Sequence, residues 1–202
     1  MASDTSSRAA KDALRTRLLA ARRARDTAER RAVDAALGAR VRAGLPGVSA
    51  GDTVCAYVAV GGEPGTDAML AALREQSIRV LLPITPPGPP TVVNWATYDG
   101  PDDLRPGRYG LREPSGESVG QHAITEAAMV LVPALACDRR GARLGRGAGY
   151  YDRTLARLSG RPPLLVGVVH DDELLDEVPT DDLDVGLHAV LTPSAGLVLA
   201  LP

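Results

Sequence analysis

The feature that most constrains this chain is a series of short apolar runs spaced by helix-like segments. Thr53–Val60 (TVCAYVAV), Ile78–Leu82, Met129–Leu135 (MVLVPAL), Leu164–Val169 and His188–Leu191 are dominated by Val, Leu, Ile and Ala. A strand with one wet face alternates polar and apolar residues. A nearly continuous apolar run instead describes a strand buried on both faces, the usual condition in parallel sheets. Between the first two runs, Met69, Leu70 and Leu73 recur at helical spacing behind Thr66, a residue suited to cap a helix ending near Gln76, which makes a βαβ unit. The expected fold is α/β, three-layer and Rossmann-like, with a mainly parallel sheet and helices on both faces. In such folds ligands sit beyond the carboxyl ends of the strands, so the loops after Val60 and Leu135 are where chemistry is expected.

The remaining segments fit around that frame. From Arg8 to about Arg25, Leu14, Leu18 and Ala21 predict an amphipathic helix with a strongly basic outer face. Asp26 and Glu29 form a capping-box pattern before a second helix, whose stripe Val33, Leu37 and Val41 ends at Gly44 and Pro46. ITPPGPP reads as loop, TVVNWAT as an edge strand, and Asp99 to Gly120 as an irregular excursion. No repeat or linker divides the 202 residues, so one domain is expected over residues 1–202. With phenylalanine absent, the core must be built from Leu, Val and Ala.

Bulk properties exclude several functions. A net charge of −2 and no basic tract argue against nucleic acid as a partner. No apolar run approaches the roughly 20 residues of a membrane span, and no secretory pattern opens the sequence, so a cytoplasmic location is expected. Cys55 and Cys137 form no Cys-x-x-Cys pair and are expected to be buried thiols.

The chemistry concentrates in CDRRGARLGRGAGYYDR, Cys137 to Arg153. Glycines let backbone N–H groups approach an anion, and guanidinium forks match phosphate oxygens. Neither the Walker Lys-Ser/Thr nor the dinucleotide G-x-G-x-x-G spacing is present. On composition alone such a loop is either a surface loop or an anion site. Asp152, directly after Tyr150 and Tyr151, is placed to hold a magnesium ion beside phosphates, or simply to complement a helix start.

The stretch VPALACDRRGARLGRGAGYYD resembles the signature of the 5-formyltetrahydrofolate cyclo-ligase family, with Cys137 standing where the family carries an aromatic. Lys11-x-x-x-Arg15, GGEPGT with Glu63 and Thr66, YGLREP from Tyr109 to Pro114, and VPTDDLDVGLHAVLTP with Asp184 resemble further family segments, so the likeness spans most of the chain. Two departures stand out. Ala148 occupies a loop position that is often Lys or Gly, and His170-Asp171-Asp172-Glu173 replaces an aromatic-x-x-Gln.

The resemblance implies an ATP- and magnesium-dependent ligase of folate metabolism, closing 5-formyltetrahydrofolate to 5,10-methenyltetrahydrofolate with release of ADP and phosphate. It implies an ATP site of Lys11, Arg15, Arg143, Leu144, Gly145, Arg146, Gly147, Ala148, Gly149, Tyr150 and Tyr151. Val58, Glu63 and residues Arg146 to Tyr150 would take the folate, Arg146 and Tyr150 would be catalytic, and Asp152 and Asp184 would hold the metal. The partners are then ATP and a reduced folate, bound by a monomer. A nucleotide-binding module without activity, and an ATP-dependent enzyme for another small substrate, are the alternatives. The presence of Glu63, Asp152 and Asp184 together speaks for an enzyme.

Overall fold

The computed structural model describes residues 2–160 and 162–200. In chain order it contains α1 (Ala2–Ala24), α2 (Thr27–Arg42), β1 (Thr53–Cys55), α3 (Asp67–Glu75), β2 (Arg79–Ile84) and β3 (Asn94–Thr97). The hairpin β4 (Leu104–Pro106) and β5 (Arg112–Pro114) comes next, then β6 (Met129–Pro133), β7 (Ala136–Asp138), β8 (Arg143–Leu144) and α4 (Tyr150–Leu155). The chain closes with β9 (Leu164–Val168), β10 (Leu174–Leu175), β11 (Ala189–Thr192) and β12 (Gly196–Leu199).

Seven strands form the main sheet in the order β12-β11-β9-β6-β1-β2-β3. The inner five run parallel. The edges β12 and β3 are antiparallel, which spares them a crossover helix. Successive side chains feed opposite cores, as the two-residue period of a strand demands. Val54, Val80, Leu82, Met129, Leu131, Val166 and Leu191 meet Leu37 and Val41 of α2 and Met69, Leu70 and Leu73 of α3. Cys55, Leu81, Val130, Val132, Leu165 and Val190 meet Trp95, Ile124 and Leu155 on the other face. The expected three-layer α/β architecture is therefore the observed one.

Several details differ from the sequence reading. First, β1 is paired only through Cys55. Beyond it the chain stays extended, but the Ala59 amide donates to Thr66 Oγ1 (2.9 Å) and the Val60 amide to Glu63 Oε2 (2.9 Å). Second, Thr66 consequently does not cap α3; the Ala68 amide donates instead to Asp34 Oδ1 of α2, at 3.1 Å. The Asp26–Glu29 capping box forms as expected. Third, α1 does not present all its cations outward, since Lys11 and Arg22 are buried. It lies on a small second sheet, β10-β7-β8, with Leu18 packed among Leu135, Ala136, Leu144 and Val178. Fourth, part of the Gly/Arg segment is strand: β7 and β8 pair around a turn in which Asp138 Oδ1 accepts from the amides of Arg140 and Ala142. The excursion from Asp99 to Gly120 likewise contains β4 and β5, paired antiparallel.

Candidate active site

A cleft of about 360 Å³ opens at the carboxyl end of the parallel strands. Its walls are the extension of β1 (Tyr57, Val58, Val60, Glu63), the ends of β2 and β6, the β4–β5 hairpin with Tyr109, and the loop from Gly145 to Asp152 with Arg143. This volume is in the range of pockets that hold small organic ligands. The sequence reading anticipated both main walls; it missed Tyr57 and the hairpin wall that Tyr109, Arg112 and Glu113 build.

Glu63 is the inner carboxylate. Its side chain is 6% exposed, one oxygen accepts from the Val60 amide, and the other lies 3.5 Å from Arg146. Burial pushes its pKa above the ordinary carboxylate value, and the Val60 amide and Arg146 offset only part of that. The turn that presents it needs Gly61 and Gly62, at φ +58° and +82°. A β-carbon on Gly61 would fall 2.6 Å from the Arg146 guanidinium, and one on Gly62 3.2 Å from the backbone and Cβ of Arg22. The turn is thus sandwiched between two arginines.

On the opposite wall, Arg143 is buried and ion-paired to Asp152. Arg146, Gly147 and Ala148 are exposed at the mouth, and Tyr150 and Tyr151 are half-buried beside them. Leu144 does not line the cleft: its side chain is buried against α1. Arg15 Nε donates to the Gly145 carbonyl (3.0 Å), which fastens α1 to the loop. Lys11 bridges Asp181 (2.6 Å) and Asp184 (2.5 Å). Burial opposes its charge, but the bonds and charges of the two aspartates outweigh this and raise its pKa. Asp184 borders a smaller recess with Asp181, Arg140 and Arg143, so Arg143 lines both the cleft that holds Asp152 and the recess that holds Asp184. No group of three or more His, Cys, Asp or Glu side chains gathers for a metal among the described residues.

Beneath the Glu63 turn runs a buried network that the sequence did not disclose. Arg22 donates through Nε and Nη2 to both oxygens of Glu173, each at 2.7 Å, and through Nη2 to the Ala134 carbonyl at 2.6 Å. Glu173 also accepts from the His170 amide, and the His170 ring donates from Nε2 to the Gly62 carbonyl at 3.1 Å. Burial holds His170 below the usual imidazole pKa, so it is neutral at pH 7. The segment that departs from the family pattern is therefore a support for the Glu63 turn. The one available signal was an arginine on the apolar side of α1, four residues after Leu18.

The hydroxyls of Tyr57 and Tyr151 are buried without a hydrogen-bond partner among the described residues. Cys55 and Cys137 are free and buried, and burial pushes the Cys137 thiol up to about 12. Both are inert, as expected. No helix of the described residues is long and apolar enough to cross a membrane.

A profile of the 5-formyltetrahydrofolate cyclo-ligase family matches residues 7–193. The chain is 47% identical over 192 residues to 5-formyltetrahydrofolate cyclo-ligase of Mycolicibacterium smegmatis, covering 93% of this chain and 96% of that protein. It is 30% identical over 149 residues to the Escherichia coli K12 protein of the same name, covering 74% and 82%. Its fold is similar to the solution structure of Aquifex aeolicus 5,10-methenyltetrahydrofolate synthetase, with TM-score 0.78, 26% identity and coverage of 95% and 93%.

Proposed function

This chain belongs to the 5-formyltetrahydrofolate cyclo-ligase family, and on that premise we propose that its cleft is where ATP and the reduced folate meet. It is an enzyme that converts 5-formyltetrahydrofolate to 5,10-methenyltetrahydrofolate. The observation that carries the assignment of the cleft is the Arg146–Glu63 contact, which joins the Gly/Arg loop to the carboxylate at the end of β1.

The residues divide by chemistry. A formyl oxygen is a poor leaving group. Transfer of the γ-phosphoryl group to it releases ADP; attack of nitrogen 10 on the formyl carbon then closes the ring, and phosphate departs with the former formyl oxygen. The protein's task is to align the two substrates and neutralise charge. Arg146, exposed and held among the described residues by a single 3.5 Å ion contact, is free to turn from Glu63 to the transferring group. Glycines 145, 147 and 149, Ala148, Tyr150 and Tyr151 line the polyphosphate, with Arg143 behind them. Val58 and Glu63 take the pterin. Lys11 and Arg15 act on ATP from α1, Arg15 through the Gly145 carbonyl it holds.

Magnesium would supply charge neutralisation to the phosphates. Asp152 and Asp184 fit it in donor chemistry: each has one oxygen engaged by a cation, Arg143 or Lys11, and a second with no hydrogen bond among the described residues. A magnesium ion keeps several waters and takes one or two carboxylates plus phosphate oxygens, so no larger ligand cluster is required. The direct test is incubation with 5-formyltetrahydrofolate and Mg-ATP while following methenyl absorbance, with and without excess chelator. Absence of turnover refutes the assignment, and equal turnover in chelator refutes the metal.

Two substitutions separate the walls. Arg146→Ala removes a charge-assisted hydrogen bond of about 1.5–3 kcal/mol, an expected loss of about 10- to 100-fold in kcat/KM. Because Arg146 is itself exposed and its contact with Glu63 is long, at 3.5 Å, the melting temperature should stay within about 2 °C. Unchanged kinetics would make the position an ordinary surface turn. Glu63→Gln replaces an acceptor by a donor opposite the N–H edge of the pterin, so KM for the folate should rise while that for ATP stays near its original value. Its stability effect has the opposite sign. A raised folded-state pKa means stability present below the unfolded pKa is lost as pH rises through the folded one, so above that window the ionised carboxylate burdens the apo fold. Glu63→Gln should therefore keep or raise the melting temperature at pH 7. Lost ATP affinity with normal folate binding would move Glu63 to the metal site.

A further inference from the structure

Tyr57 stands in the extended segment after β1 and lines the cleft beside Val58, Val60 and Glu63. It is 3% exposed, and its hydroxyl is buried with no hydrogen-bond partner among the described residues. A buried phenol normally finds a partner, because losing water without replacement is unfavourable. Phenylalanine would fill the same space without that cost. The oxygen is thus retained against the stability of the ligand-free fold, in the wall that also carries Glu63.

The chemistry of the substrate supplies the missing acceptor. The aminopyrimidinone edge of a reduced pterin presents two N–H donors next to a carbonyl oxygen. A carboxylate such as Glu63 satisfies the donors and leaves the carbonyl in need of a donor. Burial first, and then the negative charge of Glu63, raise the Tyr57 pKa well above that of a free phenol, so the group keeps its proton and donates.

We infer that Tyr57 is a substrate-binding residue whose hydroxyl donates to the pterin carbonyl beside the N–H edge held by Glu63. Together the two side chains read three adjacent positions of the ring, which discriminates a pterin from a flat ring of similar size lacking that pattern. The assignment rests on reading the cleft as the folate site. Tyr151, whose hydroxyl also has no hydrogen-bond partner among the described residues, sits on the facing wall and belongs to the loop side of the same pocket.

Tyr57→Phe tests it, because only one oxygen is removed. KM for 5-formyltetrahydrofolate should rise about 10-fold, with kcat and KM for ATP within about twofold of wild type. The ligand-free melting temperature should hold or rise, by about 2–4 °C. Calorimetric titration of the variant with 5-formyltetrahydrofolate, without ATP, should show the same loss as KM. A purely structural tyrosine gives the reverse pattern, a lowered melting temperature with unchanged KM, and that result overturns the inference. So does a change confined to ATP, or unchanged folate binding in a variant whose wild type turns over. If the wild type itself does not turn over, the folate reading of the cleft fails and this assignment falls with it.

Discussion

Arg22→Met is expected to lower the unfolding free energy by about 3–5 kcal/mol, the usual cost of leaving one member of a buried ion pair alone. Arg22 and Glu173 are fully buried, and the guanidinium also holds the Ala134 carbonyl, so its loss strands a carboxylate and an acceptor together. For a chain of this length the fall in melting temperature should be on the order of 10 °C. The double variant Arg22→Met, Glu173→Leu should recover much of it, since a matched apolar pair avoids the desolvation of both charges. Even where the fold is recovered, folate KM should stay high, because the support under the Glu63 turn is gone. A single variant melting within about 2 °C of wild type would show that the pair is dispensable.

Asp152→Asn is the substitution expected to act most strongly on the reaction. Metal-held charge stabilisation is worth several kcal/mol in the transition state, so kcat should fall on the order of 100- to 1000-fold. From sequence alone the carboxylate reads as a metal carboxylate or a helix-start residue, and in either case its loss is expected to disturb folding far less than turnover. The structure shows it instead paired to the buried Arg143, so the variant should also melt earlier. The two effects are separable: kcat is measured at 25 °C and divided by the folded fraction from circular dichroism. If the corrected kcat returns to within about threefold of wild type, Asp152 is a stabilising ion-pair partner and not a metal carboxylate.

What was legible from sequence followed the range of the interaction. Periodicity is local, so the apolar runs gave the parallel sheet, and Asp26 with Glu29 gave the start of α2. The length of β1 was misjudged because the amides of Ala59 and Val60 are bonded by Thr66 and Glu63, a competition between side chain and strand that no apolar count reports. The loop that carries the site was legible as a motif. Its β7–β8 pairing was not, since strands this short have no detectable period. The burial of Arg22 was hidden within a helix read as basic on its outer face, because its partner lies 151 residues away. The Gly61–Gly62 turn was visible only as glycines; that two arginines flank it required coordinates.

The cations of α1 have a consequence for how the protein is made. Lys11 bonds to residues 170 and 173 positions later, Arg22 to one 151 later and Arg15 to one 130 later. At a translation rate of about 5–20 residues per second, roughly 10–30 s separate the synthesis of this helix from that of its last partners. During that interval the nascent helix carries charges it cannot bury, and the seat under Leu18, formed by β7, β8 and Val178, does not yet exist. Docking of α1, and with it fastening of the Gly145 side of the cleft, therefore comes after formation of most of the sheet. The cleft is completed by a segment made long before its partners and held in reserve.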